Sequence, residues 1–442
     1  MNKTEFKAAA NAIVADPLQR LSPVTKAVID RDNYVFDAHM HIFDRKCTPV
    51  MYFLLRFMSE KLKLSANDSV SVAEASEKIY DLMSKNLLDK EDQLEQMDLE
   101  AMLVQSDGGT GEAVKIVLKK EQSDILEYYN EHFALNKFDA FKNKEFLSVV
   151  LSMDLEVGWG RKTKRTYKEQ IADLKVIAKE TPILPFFAID PRRADLEGEE
   201  NLYQMFIDAF TDTETPFFGV KCYPSLGYLP SDARLIPIYE VCEAKNIPII
   251  THCGGTAVST YKTSIEVVNS AGKRIELKLP AGDRAKRANY LNDPLHWDSV
   301  LSRFPKLKIN LAHFGGPDRW NEKASEIDKM RVEQIIERME TFGEQVYTDF
   351  SFNIIDNEAN RNVKDALKAN ATIKSRLMYG TDYWVVLPGK NLKNSIQNFI
   401  NIMGDDIWDM VYGVPNKFLF GIEKQNQHIH DVLEEIFNTP TI

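Results

Sequence analysis

The sequence predicts an α/β protein, a (β/α)8 TIM barrel with a long helical insertion between its first two strands. Three observations carry this. Eight short runs rich in Val, Ile, Leu and Phe recur along the chain, helix-like stretches alternate with them, and polar or turn residues close their C-terminal ends. Near-continuous apolar runs of this length suit strands buried on both faces, as in a parallel sheet. Strands alternating with helices then point to a barrel or to a doubly wound open sheet. The open sheet usually carries a glycine-rich phosphate loop after its first strand, and "HMHIFDR" has none.

The first strand is "YVFDAHMH" (34–41), followed by runs at 146–154, 183–190, 217–223, 247–253, 307–314, 346–352 and 377–384. Amphipathic stretches such as "TYKEQIADLKVIAKE" and "IDKMRVEQIIERMETFG" supply the outer helices. Residues 42–146 form the long interruption. Its content reads as helical: "PVMYFLLRFMSEKLKL" starts at Pro49, and a later stretch opens with Ser71 and Glu74 at capping-box spacing. "AMLVQS" (101–106) competes as a strand inside it. Apolar positions Met51, Leu54, Leu55 and Met58 need burial, so the insertion is expected to close the barrel mouth or to form a homodimer interface. A second, basic insertion at 261–293 reads as a solvated loop. The whole chain, 1–442, is read as one domain.

Composition narrows the function classes. A hydrophobic fraction of 44% and a charged fraction of 27% are those of an ordinary soluble protein. A net charge of −11 without a Lys/Arg-rich block argues against nucleic acid and anionic membranes, leaving a small-molecule substrate as the expected partner. There is no signal-peptide core and no 18-residue apolar span. Four cysteines without C-x-x-C spacing suit a reducing, cytoplasmic setting.

His39 and His41 in "VFDAHMHIF" lie two apart on a strand, so their side chains share a face. Eight histidines in this chain give about 0.14 such H-x-H pairs by chance, so the pair alone establishes nothing. The joint pattern carries more. His252 in "IITHCGG", His313 in "NLAHFGG", Asp382 in "YGTDYW" and Lys221 in "GVKCYP" all close predicted strands, where barrel enzymes keep their chemistry. Singly, each has an ordinary structural explanation: a packed histidine, a helix-capping aspartate, a lysine reaching solvent.

This set resembles the metal-dependent amidohydrolase superfamily. The blocks "GVKCYPSLGYLPSDARLIPIYEVCEAKNIPIITHCGG", "DPLHWDSVLSRFPKLKINLAHFGG" and "RLMYGTDYW" are closest to its amidohydrolase-2 branch, which includes aminocarboxymuconate-semialdehyde and resorcylate decarboxylases beside hydrolases. The resemblance covers residues 34–43 and 147–422 and implies that His39, His41, His252 and Asp382 ligate one divalent ion, with His313 beside its water. It further implies Lys221 as either a plain neighbour or a carbamylated bridge to a second metal; the branch's usual mononuclear arrangement ranks first. Tyr223 stands where the branch often has a histidine in K-x-H-P, which removes any role copied from that histidine.

Three imidazoles and a carboxylate suit Zn2+, and admit Mn2+, Co2+ or Fe2+. With such an ion the expected chemistry is hydrolysis of an amide, ester or lactone, Asp382 moving the proton and His313 orienting the water or polarising the carbonyl. The alternatives are non-oxidative decarboxylation of a small aromatic or unsaturated acid, and an inactive metal-containing scaffold. Arg192, beside Arg193 in "IDPRR", offers a clamp for a substrate carboxylate or a plain surface turn. Tyr223, Trp159, Tyr383 and Trp384 offer an aromatic wall or barrel–helix packing.

Overall fold

The computed structural model describes residues 1–47, 116, 119, 121–160, 162–254, 258–260, 262–282, 284–322, 324, 326–383 and 391–424. The predicted helices opening at Pro49 and Ser71, the run at 101–106 and Trp384 lie outside these residues.

All eight predicted barrel strands form. They are β1 (Tyr34–Met40), β2 (Glu145–Leu151), β3 (Ile183–Ile189), β4 (Gly219–Cys222), β5 (Ile249–His252), β8 (Ile309–Ala312), β9 (Val346–Asp349) and β10 (Leu377–Met378). They pair in parallel in the order β1-β2-β3-β4-β5-β8-β9-β10. Every residue of β1, β3, β4, β5, β8 and β9 is buried, because helices cover the outer face while side chains fill the interior. The outer helices form where predicted. Tyr167–Glu180, for instance, starts at a capping box between Thr166 and Glu169 and buries Ile171, Leu174 and Ile177.

The barrel closes between β10 and β1 through irregular backbone. The Ala38 amide donates to the Tyr379 carbonyl (3.0 Å), the Asp382 amide to the His39 carbonyl (2.8 Å) and the His41 amide to the Tyr383 carbonyl (2.7 Å). β10 is shorter than the predicted run 377–384: past Met378 the Tyr379 amide turns to the Met410 carbonyl (3.0 Å), Asp382 takes a left-handed conformation (φ 56°), and Tyr383 then makes an isolated parallel bridge to Met40. Gly380 is what lets the two segments meet: a Cβ there would lie 2.8 Å from the His39 Cβ.

The segment 261–293 corrects its reading as a solvated loop. β6 (Ser264–Val268) pairs antiparallel with β7 (Arg274–Lys278), and a helix at Arg284–Leu291 follows. Ile265, Leu279 and Leu291 bury a small cluster of their own. The alternation I-x-V and I-x-L on either side of Asn269–Gly272 is a hairpin signal that the many charged residues of the segment obscure. Of the first insertion, the described part includes a helix at Gln122–His132 that buries Ile125, Leu126 and Tyr129.

Candidate metal centre

His39 and His41 sit at the C-terminal end of β1, and each ring has one nitrogen committed. His39 Nδ1 lies 2.9 Å from Asp349 Oδ2, and His41 Nδ1 lies 3.0 Å from the Leu151 carbonyl oxygen. Both partners are acceptors, so each Nδ1 carries the proton and each Nε2 presents a lone pair. Those two Nε2 atoms each lie 3.5 Å from the same oxygen, Asp382 Oδ1. A carboxylate oxygen so close to two unprotonated nitrogens gains no hydrogen bond from either; a shared cation is what such a trio fits.

Among the described residues, His39, His41 and Asp382 bring their donor atoms within 4.8 Å of one another, and so do His39, His313 and Asp349. His252 lies outside both groups and reaches them through His313, its Nδ1 being 2.9 Å from His313 Nε2. His252 Nε2 is buried without a hydrogen-bond partner. An orphaned buried nitrogen costs roughly 1–3 kcal/mol, so this atom too fits a ligand role. Lys221 Nζ is 3.3 Å from His39 Nε2.

Electrostatics agree with this. Burial, reinforced by the Lys221 charge, lowers His39 to about 4 and holds His41 well below the ordinary imidazole value. Burial and the neighbouring rings do the same for His252 and His313. Neutral imidazoles are the form that ligates metals. Burial raises Asp382 well above the carboxylate range against the pull of Lys221, and lowers Lys221 to about 8 against the pull of Asp382 and Asp349. A dication at this point would reverse the penalty on Asp382.

The residue that the sequence reading missed is Asp349, at the end of β9. Besides His39, its carboxylate accepts from Asn310 Nδ2 (2.7 Å), the His313 amide (3.0 Å), the Ser351 amide (3.1 Å) and the Ser351 hydroxyl. The signal was present: "VYTDFSF" ends a predicted strand on an aspartate, as "YGTDYW" does. His313 is held by the same group, its Nδ1 lying 2.8 Å from Ser351 Oγ, on a left-handed backbone (φ 71°).

The remaining candidates separate. Tyr223 stacks on His252, ring centroids 4.2 Å apart at 11°, beside a small apolar cluster that includes Phe43, Met153, Leu226 and Val258. Tyr383 packs into Tyr129 and Phe133. Trp159 donates to the Ser259 carbonyl (3.3 Å) and packs on the apolar cluster. Arg192 is spent internally: it donates to Asp190 through Nε (2.8 Å) and Nη2 (2.5 Å) and to the Leu226 carbonyl (3.1 Å). Arg193 is likewise buried against Asp154 (2.5 Å) and Glu156 (3.1 Å).

A parallel eight-stranded barrel with imidazoles and carboxylates gathered at its C-terminal strand ends defines a barrel enzyme with a candidate metal site. The chain belongs to the amidohydrolase family, whose model matches residues 36–400. Similar solved structures include an amidohydrolase of Burkholderia multivorans with bound zinc (12% identity, 72% of this chain and 94% of that one, TM-score 0.40). A 5-carboxyvanillate decarboxylase of Novosphingobium aromaticivorans complexed with manganese (11%, 96% and 99%, TM-score 0.44) and a 4-oxalomesaconate hydratase of Rhodopseudomonas palustris (12%, 91% and 98%, TM-score 0.42) are also similar. None of the curated proteins matches the chain in sequence. No described helix is long and apolar enough to cross a membrane.

Proposed function

We propose that this amidohydrolase is a metal-dependent hydrolase that cleaves an amide, ester or lactone bond of a small molecule. The observation that carries the reading is Asp382: a buried carboxylate whose oxygen lies 3.5 Å from the Nε2 of both His39 and His41. His39, His41, His252 and Asp382 would hold one divalent ion, zinc ranking first for a nitrogen-rich set. When bound, the ion would supply Lewis acidity and lower the pKa of a bound water toward about 7.

The chain's own residues do the rest. Asp382 takes the proton of the attacking water and returns it to the leaving group as the bond to the carbonyl carbon breaks. His313, whose Nδ1 lies 2.8 Å from Ser351 Oγ and whose Nε2 lies 2.9 Å from His252 Nδ1, would orient the water or the substrate carbonyl through Nε2 once that atom is released from His252. Lys221 stays a plain amine beside His39 in this reading. The two arginines that the sequence offered as a clamp for a substrate carboxylate are spent on Asp190 and Asp154, which takes away the sequence feature that spoke for decarboxylation.

The test is a paired screen of the purified, zinc-loaded protein. Lactones, esters and amides are assayed for acid release, and aromatic carboxylates for CO2. Acid release that disappears in Asp382→Asn supports the proposal. CO2 release without any hydrolysis would replace it by the lyase reading, and silence in both screens by the scaffold reading.

A further inference from the structure

Asp37 lies in β1, two residues before His39, and is fully buried. Its Oδ1 accepts from the amides of His39 (3.0 Å) and Thr381 (3.1 Å), and its Oδ2 from the hydroxyls of Thr381 (2.6 Å) and Tyr129 (2.6 Å). Neither amide belongs to a regular ladder. The β1–β2 register shifts between Asp37 and Met40, the irregularity that re-aims His39. Thr381 has left β10 and leads into the left-handed Asp382. One carboxylate therefore ties together the two irregular backbones that deliver His39 and Asp382, across the seam where the barrel closes.

The fourth donor comes from elsewhere. Tyr129 belongs to the helix Gln122–His132, in the segment between β1 and β2, and packs on Tyr383 at 4.7 Å and Phe146 at 5.8 Å. Without its hydroxyl, Oδ2 of a buried carboxylate keeps a single donor, and the lost hydrogen bond is drawn from the group that sets the seam. Metal and catalytic constellations work only when held within roughly 0.5 Å of their geometry, so a small rearrangement of this anchor reaches the ligands.

We propose that Tyr129 is a positioning residue of the metal centre, acting through Asp37 on the backbone that carries His39 and Asp382. The proposal rests on the metal-site reading given above. It makes the helix at 122–132 part of the site's support, although none of its side chains is among the candidate ligands.

The test measures zinc affinity by competition with a chelator, together with the melting temperature of the metal-free protein. Tyr129→Phe keeps the ring and removes the hydroxyl. Its zinc Kd is expected to rise about tenfold, the lower end of what outer partners of metal ligands contribute. Tyr203→Phe is the control. Tyr203 is a buried tyrosine whose hydroxyl donates to the Arg234 carbonyl (2.8 Å) in another part of the barrel, and its loss should lower the melting temperature without changing Kd. Thr381→Val should weaken zinc as Tyr129→Phe does, and Thr381→Ser should restore it. Unchanged zinc affinity in Tyr129→Phe, or equal weakening in Tyr203→Phe, would overturn the proposal. If Tyr129→Phe does not fold, the Thr381 pair decides by the same criterion. Wild-type protein that binds no zinc would overturn the metal-site reading itself, an outcome separate from a wild-type-like Tyr129→Phe.

Discussion

Replacing Asp349 by asparagine changes almost no volume, yet it should cost the site its metal. On one side of the carboxylate, Oδ1 accepts from the His313 amide, the Ser351 amide and the Ser351 hydroxyl. The amide oxygen of the variant will take that side, since three donors converge there. Its NH2 then faces His39 Nδ1 and Asn310 Nδ2, which lie 2.9 and 2.7 Å from Oδ2 in the wild type. A donor there meets the Asn310 donor and forces His39 to accept through Nδ1. The ring proton moves to Nε2, the nitrogen that would face the metal, and its lone pair is lost. The charge goes as well. Burial opposes ionisation of Asp349, yet its pairing with His39 and His313 holds the carboxyl well below its usual range.

Outer partners of this kind are worth about 10–100-fold in metal affinity, or about 1.4–2.8 kcal/mol at 1.4 kcal/mol per tenfold. The tautomer switch places Asp349→Asn at the upper end. The assay is zinc affinity by chelator competition on folded wild type and variant, with metal-free stability measured beside it. A variant that binds zinc within about twofold of wild type would refute the tautomer argument.

Three further outcomes follow from the same geometry. Fully metallated Asp382→Asn should lose at least about a hundredfold in kcat, because an amide retains a ligand oxygen but cannot carry a proton; His39→Ala should instead lose metal first, which parallel metal and rate measurements on one sample distinguish. Elemental analysis should find about one divalent ion per chain with Lys221 an unmodified amine, and a lysine carbamate bridging two ions in a crystal structure would contradict it. Asp195→Asn should lower the melting temperature at pH 7 by an amount that shrinks with acid: burial opposes its charge, but hydrogen bonds from Arg274 (2.7 Å) and Arg234 (2.5 Å) outweigh it and leave the carboxyl below its ordinary value. A group depressed on folding contributes stability above its unfolded pKa of about 3.9 and loses it as pH falls toward the folded value, so melting curves from pH 7 to 3 check the sign.

The sequence by itself determined the barrel and the level at which the candidate site gathers. Two-residue periodicity placed His39 and His41 on one face, and apolar runs ending in His252, His313, Lys221 and Asp382 marked the C-terminal strand ends. Both are local properties, written in the spacing of neighbours along the chain, and for that reason legible. The family signature worked the same way, through short blocks at those strand ends.

Tertiary structure decided the pairings. Asp349 meets His39 across 310 residues, and Tyr129 and Thr381 meet on Asp37 from 92 and 344 residues away. Those contacts depend on the register of strands that close a cylinder, a quantity that no single run of residues carries. The same is true of Arg192, whose place after β3 suited a substrate clamp as well as a turn. Its guanidinium went to Asp190, two residues before it, and to the Leu226 carbonyl brought alongside by the loop after β4. Left-handed turns at His313 and Asp382 finish the site, and they form only where the closing strands hold the backbone in a conformation that sequence preference alone would disfavour.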